Sequence, residues 1–275
     1  MFLKRFKKFL ALMCDFASQA YRNRNLIISL SIREFRVGSY GSLLGISWVL
    51  IEPLVYVLLL WFFFTRAMKF TPPEGYPYVP WLMSAMVLWN FISLGMTSTT
   101  TTFRSHAFLL RHSGFNMAIL PIVNLLSCLY VHIIFLGILV VLLLYSDIPF
   151  TFYWFQSLYY LFATSVLLLG LGWITASLSL FIKDISNITG VVLQIGFWIS
   201  PIFWSLDTFP KEYRFILQLN PISYVIEGYR KSFLYGQPVW NDISGFFYYW
   251  TITICVFLLG YFTYKKLRPH FGDVV

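Results

Sequence analysis

Six apolar runs follow one another along the chain, at roughly 43–64, 79–101, 117–145, 154–182, 186–206 and 245–264. Each approaches the twenty or so residues that a helix needs to cross a hydrocarbon core. The third and fourth are long enough to tilt or to project beyond it. Two stretches between the runs are not ordinary polar loops. Residues 24–37 (RNLIISLSIREFRV) carry Ile28, Ile32 and Phe35 on one helical face and Ser29, Arg33 and Arg36 on another, with Leu30 and Val37 falling on the polar side. That pattern predicts an amphipathic helix lying in the membrane interface, with an ordinary lead-in to the first span as the alternative. Residues 213–235 (YRFILQLNPISYVIEGYRKSFLY) hold too many large apolar side chains for a solvated loop, and Asn220-Pro221 interrupts them. Two half-helices, 210–219 and 222–235, are therefore expected to dip into the outer leaflet and return. Such backbone is tolerated at that depth only when packed on protein or lining a water-filled path; a cap lying on the outer surface is the alternative.

Composition agrees with lipid as the solvent. The 275 residues are 59% hydrophobic, 21% aromatic and only 11% charged, against about 25% charged in soluble domains. The expected fold class is an all-α polytopic membrane protein with six transmembrane helices, an N-terminal interfacial helix and re-entrant half-helices between spans five and six. Residues 1–42 form the N-terminal piece and 43–275 the six-span domain, with 207–244 as its outer segment. The start, MFLKRFKKFLALMCDF, is basic and then apolar but lacks a small-x-small cleavage site; it is expected to be retained and to lie on the membrane.

The net charge of +9 does not point to nucleic acid, because the basic residues sit between apolar runs and not on one soluble face. Their sidedness fits topology: with the N-terminus inside, 14 of the 20 Lys and Arg fall on cytoplasmic pieces. Both termini are thus expected in the cytoplasm. Basic residues beside a bilayer also touch anionic lipid.

Familiar catalytic chemistry is not written here. The chain has no Gly-Lys dipeptide and so no Walker A loop, no HExxH and no GxSxG. Cys14, Cys128 and Cys255 stand far apart, and the four histidines, His106, His112, His132 and His270, do not cluster in sequence, so no metal site is expected. His132 falls inside a span, where hydrogen-bonded packing is the favoured reading over a ligand or proton relay. Glu52 lies within the first span, beside Pro53, either in a polar pathway or a subunit contact, or near the inner interface and reaching the headgroups.

Four segments, in order and on the same topology, resemble the type-2 ABC exporter permeases of the polysaccharide-export family. They are REFRVGSYGSLLGISWVLIEPL, FLLRHSGFNMAILPIVNLLS, SLFIKDISNITGVVLQIGFWISPIFW and LNPISYVIEGYRKSFLYGQ. The resemblance spans about residues 24–265. It implies a homodimeric, channel-forming subunit that is not itself an enzyme and carries no cofactor. ATP and Mg are expected on two separate ATPase subunits. The expected cargo is a lipid-linked polysaccharide (O antigen, capsule or teichoic acid). A drug or small lipid is the alternative cargo, and a membrane acyl- or glycosyltransferase the reading from another class.

Carried onto this sequence, the resemblance implies that Arg33, Glu34 and Arg36, and a second loop with Arg104, Arg111, His112 and Ser113, would meet the ATPase. Asn220, Pro221, Glu227 and Arg230 would shape an outer gate. Glu227 and Arg230, three apart on a helix, can equally be a local ion pair. Aromatic faces stack on sugar rings without many strong hydrogen bonds, which suits a polymer that must slide. Trp48, Tyr56, Trp89, Phe197, Trp198, Phe203 and Trp204 are the candidate channel aromatics, against the alternative that they anchor the chain at the membrane interfaces.

Overall fold

The computed structural model describes residues 18, 19, 21–37, 45–69, 72, 75–108, 116–205 and 211–273, and these contain helices and no strand. Nine α-helices of eight or more residues follow in order among them. They are α1 (Arg24–Val37), α2 (Trp48–Trp61, continued by a π-helical stretch Phe62–Ala67), α3 (Tyr78–Ser105), α4 (Leu120–Tyr145) and α5 (Gln156–Phe181). The chain then runs through α6 (Ile185–Ile199), α7 (Lys211–Gln218), α8 (Pro221–Arg230, continued by a π-helical stretch Lys231–Tyr235) and α9 (Ile243–Leu267).

Four stretches are long and apolar enough to cross a membrane: Tyr78–Ser105, Met117–Tyr145, Phe152–Phe181 and Val239–Gly272. They coincide with the second, third, fourth and sixth runs in the sequence. The first and fifth runs form shorter apolar helices, Pro53–Ala67 and Ile185–Ile199. The fifth stops short of the expected 206 for a local reason. Pro201 disfavours helical backbone at the residue before it, and Ser200 is extended, with φ −77° and ψ 146°.

The long helices are joined where side chains are small. α5 packs along both α3 and α9. A Cβ placed on Gly260 of α9 would collide with the Gly170 carbonyl oxygen of α5, and one placed on Gly170 would stand 2.7 Å from the Phe257 Cα. Backbone therefore meets backbone at that crossing, as small residues allow in lipid, where there is no hydrophobic drive between helices. Hydroxyls supply further ties. Thr100 Oγ1 (α3) donates to Thr175 Oγ1 (α5) at 3.0 Å, and Ser179 Oγ donates to the Thr100 carbonyl at 2.7 Å. Asn124 Nδ2 of α4 donates to the Ser98 carbonyl at 2.9 Å.

His132 is a packing residue of this kind. Its ring reaches the Val87 carbonyl from Nδ1 at 3.3 Å and the Tyr229 hydroxyl from Nε2 at 3.0 Å. A carbonyl only accepts, so Nδ1 carries the proton and Nε2 accepts from Tyr229. One buried imidazole thus links α3, α4 and α8. Glu52 lies on α2, but its side chain is outside the described part of the structure.

Candidate functional site

Residues 211–235, within the expected outer segment, fold as the Asn-Pro signal dictates. Asn220 Oδ1 accepts from the Ile222 amide at 3.1 Å, capping α8, and Pro221 occupies the first turn, where no amide partner is lost. Gly236, at φ 57°, closes the following π-helical stretch in the left-handed region that suits glycine. The expected half-helices 210–219 and 222–235 correspond to α7 and to α8 with its continuation.

What the pattern does not reveal is how deeply α8 is packed. Val225, Ile226, Tyr229 and Arg230 are fully buried. Arg230 Nη1 donates to Glu227 Oε1 at 2.9 Å, so the local pair exists. Its Nη2 donates to the Ile202 carbonyl, and its guanidinium lies 3.5 Å from the centre of the Trp81 ring. At the start of α8, Asn220 Nδ2 donates to Ser200 Oγ at 2.9 Å. The residues expected to shape a gate therefore fasten the outer segment, at both ends of α8, to the Ser200–Ile202 turn that ends α6. Asn220, Pro221 and Glu227 are half-buried, whereas Arg230 has no exposed surface.

The candidate channel aromatics largely converge although they come from three parts of the chain. Phe197 is at the centre, with ring centroids 5.5 Å from Tyr56 (α2), 5.6 Å from Trp89 (α3) and 5.6 Å from Phe203. Trp198 meets Phe203 edge-on at 4.9 Å, and its carbonyl accepts from Trp204 Nε1 at 3.2 Å. Trp89, Phe197, Phe203 and Trp204 are buried, while Tyr56 and Trp198 are about half-exposed, at 40% and 53%. Trp48, 45% exposed, stands at the start of α2 and contributes no ring contact to this cluster among the described residues. Two further rings, Phe64 and Tyr78, are not among the sequence candidates and extend the cluster from Phe203 toward Trp81.

The opposite end of the bundle gathers positive charge. α1 packs on the first turns of α4. Ile27 joins Ile119 and Val123; Ser31 Oγ lies 3.2 Å from the Tyr130 hydroxyl, and Phe35 meets the Tyr130 ring edge-on. The buried face of α1 is thus Ile27 and Ser31, with Leu30 and Glu34 beside them. Ile28 and Ile32, expected to lead one apolar face with Phe35, are exposed.

Glu34 Oε1 reaches His106 Nε2 at 3.2 Å, which ties α1 to the end of α3. Arg33 and Arg36 point outward. Arg104 donates to the Ser179 carbonyl, joining α3 to α5. Arg111, His112 and Ser113 lie outside the described residues. Lys183, Lys265, Lys266 and Arg268 are exposed or partly exposed at this same end, where Phe271 packs on Phe103 and Phe181.

Two residues here do not stand out in the sequence, His106 and Asn116. Asn116 accepts from the Ala118 amide at 3.1 Å and from the Tyr264 hydroxyl at 3.1 Å, and its Nδ2 donates to Gln19 Oε1 at 2.6 Å. The helix-cap pattern of Asn before MAILP is the available signal.

Comparison with known proteins matches this architecture along most of its length. A family model described as "ABC-2 type transporter" matches residues 25–234. An O-antigen export system permease protein RfbA from Klebsiella pneumoniae is 21% identical over 252 residues, covering 91% of this chain and 95% of that protein. A protein of the same description from Myxococcus xanthus is 26% identical over 230 residues, covering 80% of this chain and 85% of its own length. The family match begins within α1 and runs through the aromatic cluster and α8 to residue 234, so the arrangement built above is that of a transporter membrane subunit, and the chain belongs to the ABC-2 type transporter family.

Proposed function

We propose that this chain is the channel-forming permease subunit of an ATP-driven exporter that moves lipid-linked polysaccharide, O antigen or capsule, across the bacterial inner membrane. The observation that carries this reading is the likeness, over nine-tenths of the chain, to permeases described as O-antigen exporters. Six spans follow if α2 and α6 cross as the short first and fifth. The end bearing α1 and the exposed Lys and Arg residues faces the cytoplasm, in keeping with the positive-inside rule. α1 lies at that interface, with Ile28 and Ile32 toward lipid and Arg33 and Arg36 toward an ATPase. A homodimer with two ATPase subunits completes the exporter, and those subunits supply ATP and Mg.

The outer segment acts as the gate through its fastening to the Ser200–Ile202 turn, and the half-exposed Tyr56 and Trp198 offer stacking faces to sugar. Trp198→Ala is expected to slow polymer export several-fold while co-purification with the ATPase and thermal stability stay unchanged. Surface polysaccharide measured in complemented deletion cells checks this, and undiminished export removes Trp198 from the channel.

Coupling is tested with the permease and the ATPase encoded beside it, purified together. ATP hydrolysis stimulated by the lipid-linked saccharide is expected, and Arg36→Glu is expected to remove that stimulation by placing an acid in a basic docking face. Normal assembly and turnover with Arg36→Glu would take α1 out of the coupling contact. One observation favours a second reading. A cavity of about 490 Å³ between α3, α5, α6 and α8 is lined almost wholly by apolar side chains such as Ile92, Leu168, Val192 and Ile195. A small lipid or drug would suit it, and stimulation of hydrolysis by such a compound, with none by the saccharide, would favour that cargo.

A further inference from the structure

A second cavity, of about 510 Å³, lies beside α8, where Glu227 lines it with its carboxylate bonded to the buried Arg230. Its size falls within the roughly 300–1,000 Å³ of small-ligand clefts. Tyr224, Glu227 and Lys231 line it from one face of α8, spaced three and four residues apart as one helical stripe. α7 contributes Phe215 and Gln218, and the start of α9 contributes Asp242 and Tyr248.

The chemistry of this lining is specific. Three aromatic rings stand among carboxylates, cations, an amide and serine hydroxyls. Charges of both signs alternate in the lining, Glu227 and Asp242 with Lys231 and Arg214, so it holds neither a cluster of cations for a phosphate nor one of carboxylates for a metal ion. The carboxylates are also held in place. Glu227 is backed by the fully buried Arg230, and Asp242 accepts from the Gly245 amide at 2.9 Å and lies 3.7 Å from Lys231 Nζ. Tyr248 is fixed by its hydroxyl, which donates to the Leu219 carbonyl at 2.7 Å. Rings beside positioned acceptors and donors, with charges of both signs interspersed, suit a neutral, hydroxyl-rich ligand that presents apolar C–H faces.

We propose that this cavity is a saccharide subsite on the outer face, holding a few sugar units of the polymer as they leave the gate. The proposal rests on the polysaccharide-export reading and adds to it a place where the emerging chain is held away from the aromatic cluster around Phe197. Each contact is weak by design, because a polymer that must move on cannot be gripped. α8 carries both the subsite and, through Arg230 and Asn220, the ties to the turn after α6.

The test uses the full-length permease with its ATPase in lipid nanodiscs. The probes are neutral trisaccharides of hexose, 6-deoxyhexose and N-acetylhexosamine, with inorganic phosphate as the contrast. Saturable millimolar binding of at least one trisaccharide is expected by saturation-transfer NMR. Phe215→Ala and Gln218→Ala, both at exposed positions, should each weaken it roughly three- to tenfold without altering the thermal midpoint. No saturable binding across the panel, equal binding by the variants, or phosphate binding in place of sugar would overturn the subsite. A complex that exports polymer yet binds no trisaccharide would remove the subsite alone. A complex with no saccharide-dependent hydrolysis or export would remove the function on which it rests.

Discussion

Replacing Arg230 with methionine is expected to detach the outer segment and abolish transport. The guanidinium is fully buried and makes three contacts at once: the Glu227 carboxylate, the Ile202 carbonyl and the Trp81 ring. Methionine fills much of the volume but leaves Glu227 without its partner and the Ile202 carbonyl without its donor. Breaking a buried pair from one side costs about 3–5 kcal/mol, far more than an exposed pair is worth. The thermal midpoint of the purified protein should fall by something on the order of 10 °C. Lysine should not rescue, because a single ammonium cannot fork to two oxygens while lying flat on an indole. A midpoint and export level unchanged in Arg230→Met would mean that these contacts do not hold the segment.

Gly260→Val is expected to prevent accumulation of folded protein, and Gly170→Val to do the same. The two glycines face each other across the α5–α9 crossing, and what a new Cβ would meet there is backbone, which cannot rotate away. The helices would have to separate, losing packing along both, and overpacking of even well-tolerated cores costs about 1–3 kcal/mol per site. Gly137 of α4 is the control. A Cβ added there would meet nothing within 4 Å, so Gly137→Ala should accumulate normally. Membrane-fraction immunoblots and monodispersity in detergent read both outcomes. Normal accumulation of Gly260→Val would contradict the close crossing.

Much of this fold is legible in the sequence because lipid simplifies the code. A long apolar run has only one unstrained solution, a helix, so four of the spans can be placed to within a few residues. Asn220-Pro221 marks a helix start by its own chemistry, a side-chain acceptor followed by a residue with no amide hydrogen, and α8 begins there. Pro201 carries an equally local message, and a hydropathy reading that runs past it makes the fifth helix too long.

The remainder depends on contacts between distant segments. Apolar periodicity marks Ile28 and Ile32 as one face of α1, and both are exposed, but it does not say which residues of the helix meet protein. The residues that turn inward include Ser31 and Glu34, polar groups matched by Tyr130 and His106, 99 and 72 residues away. In a membrane protein an exposed isoleucine is no anomaly, so hydrophobicity alone does not say which side of a helix meets protein. Arg230 shows the same limit. Its spacing from Glu227 suggests a local ion pair, and nothing in the linear pattern places Trp81 under it. The aromatic cluster is recognisable as a set of residue types; that Tyr56, Trp89 and Phe197 meet is a property of how α2, α3 and α6 pack.

The central claim, that an ATP-driven complex built on this chain carries a lipid-linked polysaccharide across the membrane, is tested most directly in proteoliposomes. The permease and its ATPase are reconstituted with fluorescently labelled lipid-linked polysaccharide, and its movement to the opposite leaflet is followed by protection from an impermeant quencher. Transfer that requires ATP and stops with a hydrolysis-deficient ATPase is the predicted result. Transfer that proceeds without ATP, or a complex that hydrolyses ATP and moves a small lipid or dye but never the polysaccharide, would contradict it.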